Sequence, residues 1–306
     1  MISYIQHKNI DKHKWDACID ACSNPVIFVY SWYLDVVCSN WDAIVLGDYE
    51  AVFPLSKKSK YKISYIYQPF FTRYFGLYSS INLSEKLVTD FLDAIPEKFK
   101  YIQLCLHQNN LSSSKGFSIS EKKYQALDLN NSYEVLYKNY SDNAKRNIKK
   151  ALNAGFVLKK NIQPDLVVNL FKTTKGQELE VFKTADYKIL LQLMDVCITK
   201  NKAQSLAVFD RNNDLCSAGF FMESSNCFVF LKSGVTNQGK SLGAMHLLFD
   251  SFIKEHAKSQ KMLDFGGSSV DSVARFYKNF GAKDFVYLQV KKNSLPRIVK
   301  WISRKS

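Results

Sequence analysis

The chain has 306 residues, 46% of them hydrophobic and 23% charged, with only 12 Gly and 6 Pro. That suffices for two domains or one large one, and it excludes a disordered, collagenous or low-complexity chain. The net charge of +14 is uneven: residues 138–160 and 291–306 each carry +6, which marks either a site for an anionic partner or solvated lysine-rich faces. No apolar run reaches the ~18–20 residues that span a bilayer, and the N-terminus lacks a secretory apolar core. A cytoplasmic protein without integral membrane association is expected. Seven irregularly spaced cysteines read as reduced thiols, and five scattered histidines form no metal-ligand pattern, so no metal is expected.

Residues 11–22 and 31–38 read as helices. Strands at 43–46 and 50–55 flank a Gly47-Asp48 turn, with further strands predicted at 61–67 and 75–78. A helix at 84–95 and a buried strand at 101–106 lead to a loop at 108–116. Residues 133–154 are helical with a second cap at Ser141; Ala144, Ile148, Ala151 and Leu152 form an apolar stripe opposite Lys145, Arg146, Lys149 and Lys150. Leu190, Leu193, Met194 and Cys197 mark a core-facing helix. Three antiparallel strands follow at 204–209, 215–222 and 227–232. Then come an amphipathic helix at 245–253, a short strand at 262–265, a helix at 269–280, a strand at 285–290, and a basic tail helix opening at Pro296. The first half shows a weaker version of the same alternation, so a two-domain α+β protein, a remote duplication, is expected.

The informative segment is Val235-Thr236-Asn237-Gln238-Gly239-Lys240-Ser241-Leu242-Gly243-Ala244 between a strand and an amphipathic helix. A glycine-containing turn that opens a helix aims several N–H groups at one point, where the dipole favours an anion. The same glycines also suit an ordinary helix start. Neither a Walker loop nor a dinucleotide fingerprint is present.

Strand, Gln-x-x-x-x-Gly-Ala, helix, strand, then Arg275-Phe276-Tyr277-Lys278-Asn279-Phe280-Gly281-Ala282 resembles the GNAT N-acyltransferase superfamily. Ser241 stands where that family's pattern places a glycine. The resemblance extends to the Fem-type peptidyltransferases, tandem GNAT proteins, through 126–129, 142–151 with Gly155, and 263–268 ahead of Phe276 to Ala282. It implies two GNAT-like domains, at 1–125 and 126–290, each a mixed, mostly antiparallel sheet flanked by helices, followed by a basic tail at 291–306.

The resemblance implies an N-acyltransferase or aminoacyltransferase. The donor is acetyl-CoA or another acyl-CoA, its pyrophosphate held by Val235 and residues Gln238 to Ala244 (Gly239, Lys240, Ser241, Leu242 and Gly243 among them), or else an aminoacyl-tRNA. The acceptor is an amine, which the Fem-type branch carries on a nucleotide-linked precursor. By the same match Tyr277 protonates the leaving group, although its helical stripe also suits core packing. Attack by an amine needs a base and an oxyanion donor. Glu223 and Asp264, at strand ends, are the candidate bases, and the backbone of 232–235 is the candidate donor; Asp264 also suits a turn-fixing role. Lys145, Arg146, Lys149, Lys150, Arg297 and Lys300 form the candidate phosphate or nucleic-acid patch. The alternative is a catalytically degenerate scaffold that binds RNA or a phosphorylated partner.

Overall fold

A computed structural model describes residues 1–107, 116–179, 181–266 and 271–296, and contacts divide the chain into two units. The first holds Met1–Lys122 with the strand residues from Val286; the second holds Lys123–Phe285. The division expected at 125/126 and 290/291 thus falls a few residues earlier at both points.

In chain order the first stretch contains β1 (Ile2–Ile5), α1 (Lys12–Ala21), α2 (Ser31–Val37), β2 (Trp41–Leu46), β3 (Ala51–Lys60), β4 (Ile63–Ile66), β5 (Tyr78–Ser79), α3 (Glu85–Asp93) and β6 (Phe99–His107). Then follow β7 (Ser118–Asp128), α4 (Tyr133–Lys138), α5 (Asp142–Asn153), β8 (Val157–Lys160), α6 (Pro164–Thr173), α7 (Lys175–Leu179) and α8 (Thr184–Thr199). The remainder is β9 (Ala203–Phe209), β10 (Leu215–Glu223), β11 (Cys227–Val235), α9 (Asn237–Leu242), α10 (Ala244–Glu255), β12 (Met262–Asp264), α11 (Asp271–Lys278) and β13 (Lys283–Asn293).

The two units share one topology. The first orders its strands β1-β2-β3-β4-β6-β13 and the second β8-β9-β10-β11-β12-β7. In both, three antiparallel steps lead to one parallel pair, β4/β6 or β11/β12, and an antiparallel strand closes the series. A parallel pair requires a crossover, supplied by α3 in one unit and by α9 with α10 in the other. This is the duplicated mixed sheet expected from the order of elements. The closing strand departs from expectation. Residues 285–290 were assigned to the C-terminal domain, yet β13 pairs with β6 from Tyr287↔His107 to Asn293↔Tyr101.

In the first unit Asp11 caps α1 by accepting from the amides of His13 and Lys14, and Trp15 packs edge-on against Trp41 at 4.7 Å. The strand expected at 61–67 starts later, because Tyr61 and Lys62 take positive φ in the turn. Only Tyr78–Ser79 and a bridge from Phe75 to Leu106 form within the expected 75–78 strand.

In the second unit the helical stretch 133–154 breaks into α4 and α5, and Ser141 caps α5 by accepting from the Ala144 amide, as its sequence predicts. Ala144, Ile148 and Ala151 are buried. α10 buries Leu248, Phe249, Phe252 and Ile253 in an aromatic core, with Phe252 stacked on Phe221 at 3.8 Å and Phe249 against Phe230 at 4.7 Å. The tail helix expected from Pro296 falls largely outside the described residues, as do Arg297, Lys300 and most of the 108–116 loop; Lys291 to Asn293 belong to β13.

Candidate active site

The second unit's sheet opens at its parallel pair. β11 and β12 match Cys227↔Met262, Phe228↔Leu263 and Val229↔Asp264, and there the pairing stops. β11 runs on to Val235 along β10, whereas Phe265, just past β12, donates its amide to Gln125 in the β7 direction. Among the described residues no strand pairs with the β12-facing edge of β11 beyond Val229.

A bulge lies at the point of parting. Phe220 faces Lys232 while Phe221 faces Phe230, so Leu231 is the extra residue. Simple alternation would put Phe228, Phe230, Lys232 and Gly234 on one face. The bulge sends the last two to the opposite face, where the Lys232 ammonium lies 5.0 and 5.2 Å from the Phe171 and Phe182 ring centroids. A Cβ on Gly234 would stand 2.6 Å from the Leu170 carbonyl carbon of α6. Nothing in the residue pattern marks this bulge.

The segment read as an anion-binding turn is helical. Thr236 caps α9: its hydroxyl accepts from the Gly239 amide at 3.0 Å and its carbonyl from the Lys240 amide at 2.8 Å. Its own amide and hydroxyl donate to the Cys216 carbonyl of β10. Gly243, at φ +83°, donates its amide to the Gly239 carbonyl. A Cβ on Gly239 would meet the Cys216 carbonyl oxygen at 2.3 Å, and one on Gly243 the Asn147 carbonyl oxygen of α5 at 2.4 Å. Both glycines are therefore required by the close approach of protein backbone. Gln238 donates to Asp210 at 3.1 Å and the Ser241 hydroxyl to the Gln238 carbonyl at 2.9 Å. Gln238, Lys240 and Ser241 are exposed, Leu242 is half-buried, Ala244 is buried, and Val235 pairs with Ser217. With the amides of 239, 240 and 243 engaged inside the chain, these residues do not fit a coenzyme A pyrophosphate held by those three donors.

The candidate chemical groups separate. Tyr277 is 9% exposed and packs flat on Phe265 at 4.8 Å, with Phe230 at 6.3 Å, beside the parted strands. Asp264, 2% exposed, ends β12 and accepts from the Gly266 amide at 2.9 Å, the turn-fixing role. Glu223 sits at the far end of β10 from Ser217 and is bound to Lys261 at 2.5 Å. The structure thus brings Tyr277 and Asp264 to the opening and leaves Glu223 at the other end of the sheet. Among the described residues no cluster of His, Cys, Asp and Glu is placed to hold a metal ion.

No known protein family and no curated protein matches the chain. Solved structures do. FemX superposes with a TM-score of 0.69 at 13% identity, covering 94% of this chain and 96% of its own. L-PGS from Bacillus licheniformis gives 0.57 at 11%, covering 95% of each, and a tandem GNAT protein from the clavulanic acid biosynthesis pathway gives 0.53 at 10%, covering 97% and 99%. The fold is the tandem GNAT fold of the Fem type. At such identities the likeness establishes architecture, and chemistry must be argued from the residues.

Within the Fem-type fold, α5 carries the basic patch beside the α9–α10 junction. Its Asn147 carbonyl abuts Gly243. Arg146, Lys149 and Lys150 are exposed, while Lys145 is half-buried, donating to the Lys138 carbonyl at 3.1 Å. Among the described residues no helix is long and apolar enough to cross a membrane.

Sequence reading passed over two buried titratable groups of α10. Asp250 accepts from the Tyr133 hydroxyl at 2.8 Å and ties α4 to α10; burial pushes its carboxyl up. His246, in the first turn, lies 4.8 Å from Phe276, and its Nε2 is buried without a hydrogen-bond partner among the described residues. Burial pulls its pKa down to about 4. Only the aromatic company of its helix face, invisible before the fold is known, distinguishes it from the other scattered histidines. The unfolded chain takes up this proton near pH 6.5 and the folded chain near 4, so stability falls as pH drops through that window. His246→Phe is expected to shrink that fall, measured by urea unfolding at stepped pH. An unchanged slope would place the imidazole in water.

Proposed function

We propose that the chain transfers an acyl or aminoacyl group from a thioester or ester donor to an amine. The observation that carries this reading is the loss of β11–β12 pairing past Val229 and Asp264, next to the bulge at Leu231. Parting frees backbone N–H groups of β11 to face a carbonyl placed in the gap, as donors for the oxyanion that forms when the amine attacks. The new bond is C–N. The bond that breaks is C–S or C–O, and the leaving oxygen or sulfur needs a proton, for which Tyr277 is the candidate at the opening.

Between the two donors, the engaged amides of α9 favour the ester of a larger molecule, an aminoacyl-tRNA, over acyl-CoA. Its phosphates would meet Arg146, Lys149 and Lys150. The acceptor is a molecule bearing an amine. A second reading, a scaffold that binds RNA or a phosphorylated partner without turnover, draws on Asp264 and Glu223 both being committed to structural contacts. The two are separated by transfer itself, measured with each donor. Binding of tRNA that weakens steeply with salt, with no donor consumed, would select the scaffold.

A further inference from the structure

We propose that the first unit carries a separate binding site for a neutral, hydroxyl-rich ligand, a saccharide by its chemistry, in the cavity between the end of α1 and residues 77–83. The cavity holds about 500 Å³, within the ~300–1,000 Å³ usual for small-molecule sites. Its walls come from Ala21 to Asn24, from the segment Leu77 to Leu83, and from His107. None of these residues is Lys, Arg, Asp or Glu, and burial pulls the His107 pKa down, favouring its neutral form.

The Tyr78 hydroxyl singles this cavity out. Tyr78 is 6% exposed, and its hydroxyl has no hydrogen-bond partner among the described residues. A buried hydroxyl left unpaired costs free energy that a chain of this size seldom retains without use. The wall that holds it is fixed: the Cys18 thiol contacts the Tyr78 carbonyl at 3.8 Å, and the Ser80 amide and hydroxyl donate to the Glu50 carbonyl at 3.0 and 3.1 Å. Beside it Ile81 and Leu83 stay 49% and 37% exposed.

Ligand chemistry follows from the lining. A phosphate or carboxylate would require a cation, and an ammonium an acid; the lining supplies neither. A tyrosine hydroxyl both donates and accepts, as do the hydroxyls of a sugar, and exposed aliphatic side chains suit the C–H face of a pyranose. This site is independent of the transfer reading.

The test is titration of the full chain with glucose, galactose and maltose up to their solubility, by calorimetry and thermal shift, with glucose 6-phosphate and glucosamine as charged counterparts. At least one neutral sugar is expected to bind and raise the unfolding midpoint with concentration, and its charged counterpart to bind more weakly. Tyr78→Phe should weaken binding about tenfold while leaving the midpoint of the free protein unchanged or higher, because the lost hydroxyl was unpaired. Asn82→Trp, filling the mouth from an exposed position, should abolish binding. The proposal is overturned if no neutral sugar binds, if the charged sugars bind as well, or if Tyr78→Phe destabilises the free protein.

Discussion

Gly243→Ala is expected to lower the unfolding free energy by ~3 kcal/mol or more, with or without any donor present. Two costs add. Gly243 sits at φ +83°, where a Cβ costs about 1–2 kcal/mol, and the same Cβ would press within 2.4 Å of the Asn147 carbonyl oxygen. The contact is with backbone, so relief requires α5 and α10 to move apart. Gly239→Ala meets the Cys216 carbonyl in the same way at ordinary φ and should cost about 1–3 kcal/mol. Urea unfolding of the free protein reads both. Glycines kept only to admit a phosphate would behave otherwise: their alanine variants would unfold like the wild type and lose ligand affinity alone.

Tyr277→Phe should cut transfer about 100-fold with little change in stability. The ring is what the core uses, stacked on Phe265 and close to Phe230 and Phe249, and phenylalanine keeps all of it. Only the hydroxyl is lost, and with it the proton for the leaving group. Single-turnover rates combined with thermal unfolding separate the roles. Equal rates would reduce Tyr277 to a packing residue, and a large drop in stability would show that its hydroxyl holds the fold.

Residue patterns reveal the second unit better than the first for a physical reason. Its helices α5, α8 and α10 each bury one apolar stripe, and β9, β10 and β11 form a meander with short turns, so period and punctuation agree with the fold. β8 and most of β7 escape notice because they are exposed and polar along much of their length. The closing strand misleads because partner choice is a long-range fact: β13 is next to unit 2 in sequence but lies beside β6.

At the site the same division holds. The cap at Ser141, the basic face of α5 and the position of Tyr277 follow from local spacing. The bulge at Leu231, the parting of β11 from β12 and the backbone contacts beneath Gly239 and Gly243 do not, because each depends on a neighbour distant in sequence. The glycines show the difference most clearly: a pattern that fits phosphate approach fits equally well the approach of a strand and a helix.

The most direct measurement is acyl transfer to hydroxylamine, a small amine that any such site should accept, with labelled aminoacyl-tRNA and acetyl-CoA offered separately. Hydroxamate is predicted to form faster than in the absence of protein, with aminoacyl-tRNA as the better donor, and to diminish when Ser233→Trp fills the gap beside β11. No hydroxamate above the uncatalysed rate from either donor would contradict the account.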